Sequence, residues 1–288
     1  MISFGENKYK PALKKMWKCC FPMDADSFID FYFNEIYKND ETLVCFENGK
    51  PAAALQMLPY TLKNGGETSP IGYISGAMTH PDHRRKGLMK TLLSASFNIM
   101  RDRGFDYTFL IPQEAWLFDF YAKFGYQATL PPKQPVKRYE NTALSAPDCE
   151  PRAYRAPLFT HQTLPHEVYA AYARFLSEIP CAVLKTETQF RQMIRDFFSE
   201  GGVLFADAQG IAFTFQGKDS VVIKEFFYRS QAAKKLFLKT VCDYYSCAET
   251  VILNSSERLI GVRGMIMRLN GGKPTCLGVY INNMLEGL

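Results

Sequence analysis

The segment that decides the fold is Thr79-His80-Pro81-Asp82-His83-Arg84-Arg85-Lys86-Gly87-Leu88-Met89. An apolar run at 71–78 precedes it, which is typical of a strand. The apolar residues that follow recur at helical spacing: Leu88, Leu92, Ala95 and Ile99. The segment is therefore predicted to be a short basic loop between a strand and a helix.

This loop has the features of an anion site. The first turn of a helix offers unpaired backbone N–H groups and the positive end of the helix dipole, which together bind anions. Gly87 permits a backbone conformation, or a close approach by a ligand, that a side chain would prevent. Arg84, Arg85 and Lys86 add positive charge. The pattern indicates a site for a diphosphate.

A second motif, Phe120-Tyr121-Ala122-Lys123-Phe124-Gly125-Tyr126, follows a strand predicted at 107–111. The two motifs resemble the acyl-CoA loop and the downstream segment of the Gcn5-related N-acetyltransferases (GNAT). The family's loop reads Arg or Gln, two residues, Gly, one residue, then Gly or Ala. Arg84 and Gly87 match this pattern, and Met89 departs from it. The form His-Pro-x-x-Arg-Arg-x-Gly is similar to the enhanced intracellular survival branch, which has two GNAT-like halves and a sterol-carrier-like domain.

The resemblance implies acetyl-CoA as cosubstrate and a bulged strand that splays from its neighbour, with Gly76 the expected place of distortion. Exposed backbone donors of that strand would polarise the thioester, and the pantetheine arm would pair with it like an added strand. The residues expected to bind the cosubstrate are Ala77, Met78, Thr79, Arg84, Arg85, Lys86, Gly87, Leu88 and Met89.

By the same resemblance, Tyr121 is the expected acid that protonates the leaving thiolate. A phenol titrates near about 10 and a thiol near about 8.5, so this proton transfer is uphill by roughly 2 kcal/mol before the site acts on it. The base stays open among Glu114, His80, His83 and a chain of water molecules. His80 and His83 have no acidic or cysteine partners at metal-ligand spacing, and we expect no metal.

Composition narrows the class of protein. The chain has 288 residues, of which 47% are hydrophobic, which predicts about two packed domains. Its net charge of +5 is too small to indicate a nucleic-acid partner. No apolar run approaches the roughly 18 residues of a membrane helix. The N-terminus shows no apolar signal core, so we expect a cytoplasmic protein.

The fold class expected is α+β, with two parts. Residues 1–140 are predicted to form a catalytic GNAT domain around a mixed, mostly antiparallel sheet, and a proline-rich linker is placed near 140–158. Residues 158–288 are predicted to form a second, degenerate GNAT-like domain, with strands at 203–206, 211–216 and 221–228. A helix capped by Ser230 follows, and its loop has no glycine, so a second CoA site is not expected. With the chain ending at Leu288, no sterol-carrier-like domain is expected.

The function predicted is transfer of an acetyl group from acetyl-CoA to a primary amine of a small molecule or peptide, by direct attack on the thioester. Two alternatives stay open: a non-catalytic acyl-CoA-binding regulatory module, and an aminoacyl or peptidyl transferase built from two GNAT domains. A homo-oligomer is compatible with all three.

Overall fold

The computed structural model describes residues 1–129 and 151–281, apart from residues 157, 219, 248, 258 and 260–262. The chain forms two compact units. The first contains Met1–Leu62, Thr68–Thr129 and Gly264–Leu277. The second contains the described residues of Lys63–Glu67, Leu130–Arg263 and Gly278–Leu288.

The first unit is a helix-flanked sheet. Its elements are β1 (Ile2–Phe4), α1 (Lys10–Cys20), α2 (Asp26–Phe31), β2 (Thr42–Glu47), β3 (Lys50–Asn64), β4 (Glu67–Thr79), α3 (Leu88–Asp102), β5 (Tyr107–Leu110), α4 (Ala115–Ala122), β6 (Gln127–Ala128) and a late strand, Met265–Arg268. Between β1 and β6 the order is two helices, a strand meander, and then strand–helix–strand–helix. The turn between β2 and β3 at Asn48 and Gly49 has φ of 50° and 76°, as a two-residue hairpin loop requires.

The second unit repeats the theme. Its elements are β7 (Arg152–Tyr154), α5 (His166–Glu178), β8 (Cys181–Leu184), α6 (Glu187–Ser199), β9 (Val203–Ala206), β10 (Gly210–Gln216), β11 (Val221–Tyr228), α7 (Gln231–Tyr245) and β12 (Thr250–Ser255). The late strand of the first unit, Met265–Arg268, is β13. A five-stranded sheet runs in the order β12-β11-β10-β9-β7. The strands predicted at 203–228 and the Ser230 cap are confirmed.

The first sheet runs in the order β1-β2-β3-β4-β5-β13-β6. The pair β4–β5 is parallel, and β1–β2, β2–β3, β5–β13 and β13–β6 are antiparallel, which confirms the mixed, mostly antiparallel sheet. One face packs on α3, whose Leu92, Leu93 and Met100 are fully buried. Burying a side chain of this size contributes about 1.5–3 kcal/mol. This packing fixes the start of α3 beside the end of β4.

The strand β13 comes from far along the chain, yet it pairs with β5 and β6 in the first unit. The domain boundaries 1–140 and 158–288 therefore stay a prediction, and residue contacts group Gly264–Leu277 with the first unit. The linker predicted near 140–158 lies largely outside the described residues. None of the helices in the described ranges combines the length and apolarity that a membrane span requires.

Candidate active site

The loop before α3 has two residues in the left-handed region. Gly87, which caps α3, has φ of 76°, and Arg85 has φ of 64°. A Cβ built on Gly87 would meet no atom within 4 Å, so the backbone angle, and not a shortage of space, requires the glycine. Arg85 takes this conformation with a full side chain, which is uncommon and typical of functional loops.

The backbone N–H groups of this loop are available to a ligand. From Arg85 to Lys90, no backbone N–H donates to a backbone carbonyl in the described chain. The next to do so is that of Thr91, whose N lies 3.0 Å from Gly87 O. Successive free N–H groups around left-handed residues form an anion-binding concavity, and the start of α3 adds its dipole.

The end of β4 is open on one side. β4 pairs with β5 only at Ile71, Gly72 and Tyr73, and then runs on for six residues, to Thr79. Gly76 has φ of 55°, which places a distortion inside this extension at the position that the sequence predicted. The extension thus presents strand backbone that β5 does not use.

The distortion at Gly76 is held by the helices. A Cβ on Gly76 would lie 2.6 Å from Cζ3 of Trp17, so the indole of α1 occupies the space of the missing side chain. The Trp17 ring is 4.5 Å from that of Tyr32 between centroids, and its Nε1 donates to Asp24 Oδ2 at 2.6 Å. The Tyr32 hydroxyl is 2.8 Å from Ser75 Oγ. Gly76 therefore contacts Trp17 of α1, and Ser75 contacts Tyr32, which directly follows α2.

A cavity of about 570 Å³ lies between the loop, the end of β4 and α4. Nine of the ten residues singled out in the sequence line it: Ala77, Met78, Thr79, Arg84, Arg85, Gly87, Leu88, Met89 and Tyr121. Lys86 is placed elsewhere, because its Nζ lies 2.7 Å from Glu47 Oε2. That pairing lowers the pKa of Glu47, so Lys86 has a carboxylate partner within the protein.

Tyr121 lines the cavity. Its side chain is buried between Phe120 and Tyr126, at ring-centroid distances of 5.1 Å and 5.9 Å. Within the described part of the chain, the hydroxyl has no hydrogen-bond partner, which leaves it for a ligand. Burial raises the pKa of Tyr121 to about 12. The gap to a thiol near 8.5 then corresponds to about 5 kcal/mol, more than the 2 kcal/mol that the sequence suggested.

This raised pKa has a consequence for stability. The pKa of this phenol is about 10 in the unfolded chain and about 12 in the folded protein. Burial of the phenol therefore lowers the free energy of unfolding only at a pH at which the unfolded chain has lost this proton. The contribution of the neutral phenol to the free energy of unfolding is complete below pH 10 and is lost as the pH rises from 10 to 12. We expect the fall in the free energy of unfolding between pH 8 and 10.5 to be about 1 kcal/mol smaller in Tyr121→Phe than in the wild type, by urea titration. Equal falls would contradict this.

The three candidate bases occupy different positions. Glu114 lines the cavity, and its Oε2 accepts a hydrogen bond from Trp116 Nε1 at 2.7 Å. His83 also lines the cavity, but its Nδ1 lies 2.7 Å from Glu47 Oε2. His80 lies outside the lining, with Nδ1 3.3 Å from the backbone N of Asp82. Among the described residues, no three His, Cys, Asp or Glu side chains group as metal ligands.

In the described residues of the second unit, the parallel strand pair continues further than the β4–β5 pair does in the first. Its parallel pair β11–β12 is in register from Val221 to Phe226, and Ser256 N–H donates to Phe226 O at 2.9 Å. At the start of α7, Ser230 Oγ accepts from the Ala233 N–H, which uses a donor that an anion would need. That the second unit holds no CoA site stays a prediction.

Three residues near the cavity escaped the sequence analysis: Trp17 as a support of Gly76, Glu47 as the partner of Lys86, and Cys20. Cys20 Sγ lies 3.3 Å from Thr79 O, which Arg84 Nε also approaches at 3.3 Å. Burial raises the pKa of the Cys20 thiol. Each contact joins residues far apart in the chain or across a loop, and no local pattern signals it.

Comparison with known proteins assigns a family to the first unit. Residues 3–129 match the family model described as an acetyltransferase (GNAT) domain. No curated protein matches the chain at a significant level.

Solved structures are similar over most of the chain. A probable N-acyltransferase from Enterococcus faecalis has a TM-score of 0.69 and 8% identity, over 93% of this chain and 72% of that one. A GCN5-related N-acetyltransferase from Anabaena variabilis has a TM-score of 0.66 and 16% identity, over 94% and 73%. Eis1 from Mycobacterium abscessus has a TM-score of 0.65 and 12% identity, over 94% and 74%. At these identities the likeness shows a shared fold.

Proposed function

Because residues 3–129 form an acetyltransferase domain of the GNAT family, we propose that the protein transfers an acetyl group from acetyl-CoA to a primary amine. The observation that supports the proposal is the shared cavity, because the loop before α3, the part of β4 that extends beyond its pairing with β5, and Tyr121 all border it. The acceptor is an amine of a small molecule or a peptide, and the cytoplasm is the proposed location.

The residues present fit acetyl-CoA. The N–H groups of Arg85–Lys90, with the side chains of Arg84 and Arg85, would hold the diphosphate. The extension of β4 beyond Tyr73 would hydrogen-bond the pantetheine amides as an added strand. Its backbone N–H groups at 77–79 would polarise the thioester carbonyl.

The transfer is direct. The nitrogen lone pair of the neutral amine attacks the thioester carbon, a C–N bond forms, and the C–S bond breaks with its electrons on sulfur. The thiolate takes a proton from the Tyr121 hydroxyl, the amine nitrogen gives up one proton to water, and the tyrosinate regains a proton from solvent. With a pKa of about 12, the Tyr121 phenol is neutral at physiological pH and carries the proton to be transferred, and the gap to a thiol near 8.5 makes this transfer uphill by about 5 kcal/mol.

The test is a thiol-release assay with acetyl-CoA against a panel of primary amines, comparing the wild type with Gly87→Val. A β-branched residue is poorly tolerated at φ of 76°, so the loop should lose its shape. We expect the KM for acetyl-CoA to rise at least tenfold, with a smaller change in kcat.

Gly104→Val is the matched control. Gly104 follows the other end of α3 with φ of 78°, and its Cβ would also meet no atom within 4 Å, so the backbone strain is similar and the cavity is not touched. Unchanged kinetics in Gly87→Val, or an equal loss in both variants, would count against the proposed site. CoA binding without any turnover would favour the regulatory-module alternative.

A further inference from the structure

Trp116 is a large apolar side chain left exposed at the cavity. Its relative exposure is 59%. Of the large hydrophobic residues that are exposed in the described chain, Trp116 alone lines this cavity; the others are Met1, Phe4, Met23, Leu158, Tyr244 and Val251. An indole that packs into the core would be a structural residue, but this one is mostly in solvent.

The ring is nevertheless held in place. Its Nε1 donates to Glu114 Oε2 at 2.7 Å, and Phe120 meets it edge-on at a centroid distance of 6.3 Å. A rigid aromatic ring exposed at a cavity loses little conformational entropy when a planar ligand stacks on it. The hydrogen bond and the packing therefore prepare a flat surface for a ligand.

The charges around the cavity select the kind of ligand. Arg84, Arg85 and Lys90 line it together with Trp116. Glu114 is the one carboxylate among the described lining residues, and it already accepts the Trp116 N–H. These three cations would repel a cationic acceptor beside the indole ring, whereas they would attract a nucleobase that is attached to phosphate groups.

We propose that Trp116 is the stacking platform for the adenine base of CoA, an inference that rests on the proposed function. With the diphosphate at the loop and the thioester at Tyr121, the nucleoside must extend from the diphosphate toward solvent. The exposed indole on the same cavity lies where such a base can stack. Stacking of a base on an aromatic ring commonly changes affinity by about tenfold or more, and tenfold equals about 1.4 kcal/mol.

The experiment compares two acetyl donors. Acetyl-CoA carries the adenine nucleotide, and S-acetyl-4′-phosphopantetheine ends at the first phosphate. We expect Trp116→Ala to raise the KM for acetyl-CoA about tenfold with kcat retained, and to leave the KM for S-acetyl-4′-phosphopantetheine at the wild-type value. Trp116→Phe, which keeps a ring, should restore most of the affinity for acetyl-CoA. Phe4→Ala, which removes an exposed ring away from the cavity, is the control.

Other outcomes overturn the inference in distinct ways. An equal rise in KM with both donors would show that the indole supports the loop or contacts the pantetheine. A rise in the KM for the amine instead would assign Trp116 to the acceptor. Either result leaves the proposed acetyl transfer standing, because the wild type would still turn over. Failure of the wild type to bind CoA by calorimetry would remove the proposed function and this inference with it.

Discussion

Replacing Tyr121 by phenylalanine is expected to lower kcat for acetyl transfer by about 100-fold or more, because a positioned proton donor contributes about 10²–10⁴ to a rate. The ring stays, with its contacts to Phe120 and Tyr126, and only the hydroxyl at the cavity is lost. Since that hydroxyl has no partner among the described residues, its removal should not disturb the fold. Steady-state kinetics with acetyl-CoA and calorimetry with CoA measure the two effects.

Tyr126→Phe is the matched control for this variant. Tyr126 is a neighbouring buried tyrosine, but its hydroxyl lies 3.0 Å from Thr108 Oγ1 and it does not line the cavity. We expect its kcat to stay within a few-fold of the wild type. If Tyr121→Phe kept full kcat, the thiolate would be protonated by another donor. If it lost CoA affinity as well, the hydroxyl would serve binding.

The substitution Gly76→Ala should destabilise the first unit by about 3 kcal/mol. A left-handed backbone costs a non-glycine residue about 1–2 kcal/mol, and the new Cβ would lie 2.6 Å from the Trp17 ring. Trp17 cannot easily yield, because it is buried, packed on Tyr32 and hydrogen-bonded to Asp24. Urea unfolding measures the change. The KM for acetyl-CoA should rise too, since the distorted strand borders the cavity.

Two variants separate the clash from the backbone strain. Gly87→Ala has the same left-handed strain with no atom within 4 Å of its Cβ, so it should cost only about 1–2 kcal/mol. Trp17→Leu should be destabilising alone, but it gives the new methyl group room. The double variant Gly76→Ala/Trp17→Leu should therefore be more stable than the sum of the single effects by about 1–2 kcal/mol. Additive effects would show that the two residues do not constrain each other.

The loop at 84–89 and the second motif could be predicted because their signals are local. A glycine before an amphipathic helix, with basic residues beside it, predicts a helix start suited to an anion from the local sequence alone. The distortion at Gly76 was expected from the family resemblance. That Trp17 fills the space beside it could not be predicted, because the two residues lie on different elements and only the packed fold brings them together.

Long-range pairing was the main obstacle elsewhere. Lys86 was expected at the cosubstrate, but a carboxylate 39 residues earlier, Glu47, lies beside it, and the role of Lys86 in binding stays a prediction.

Helices α5 and α6 were missed although their signals were local. Val168, Tyr172 and Phe175 have helical spacing in α5, and α6 begins with a capping box at Thr186 and Gln189. Both signals predict a helix from the sequence alone.

The late strand β13 has a consequence for how the protein is made. It separates β5 from β6, so the first sheet is incomplete until residues 265–268 have left the ribosome. At about 5–20 residues per second, the 135 residues between Thr129 and Met265 take roughly 7–27 s to synthesise. During that time the nascent chain carries β5 with one edge uncovered, and an uncovered strand edge is a template for pairing with another chain.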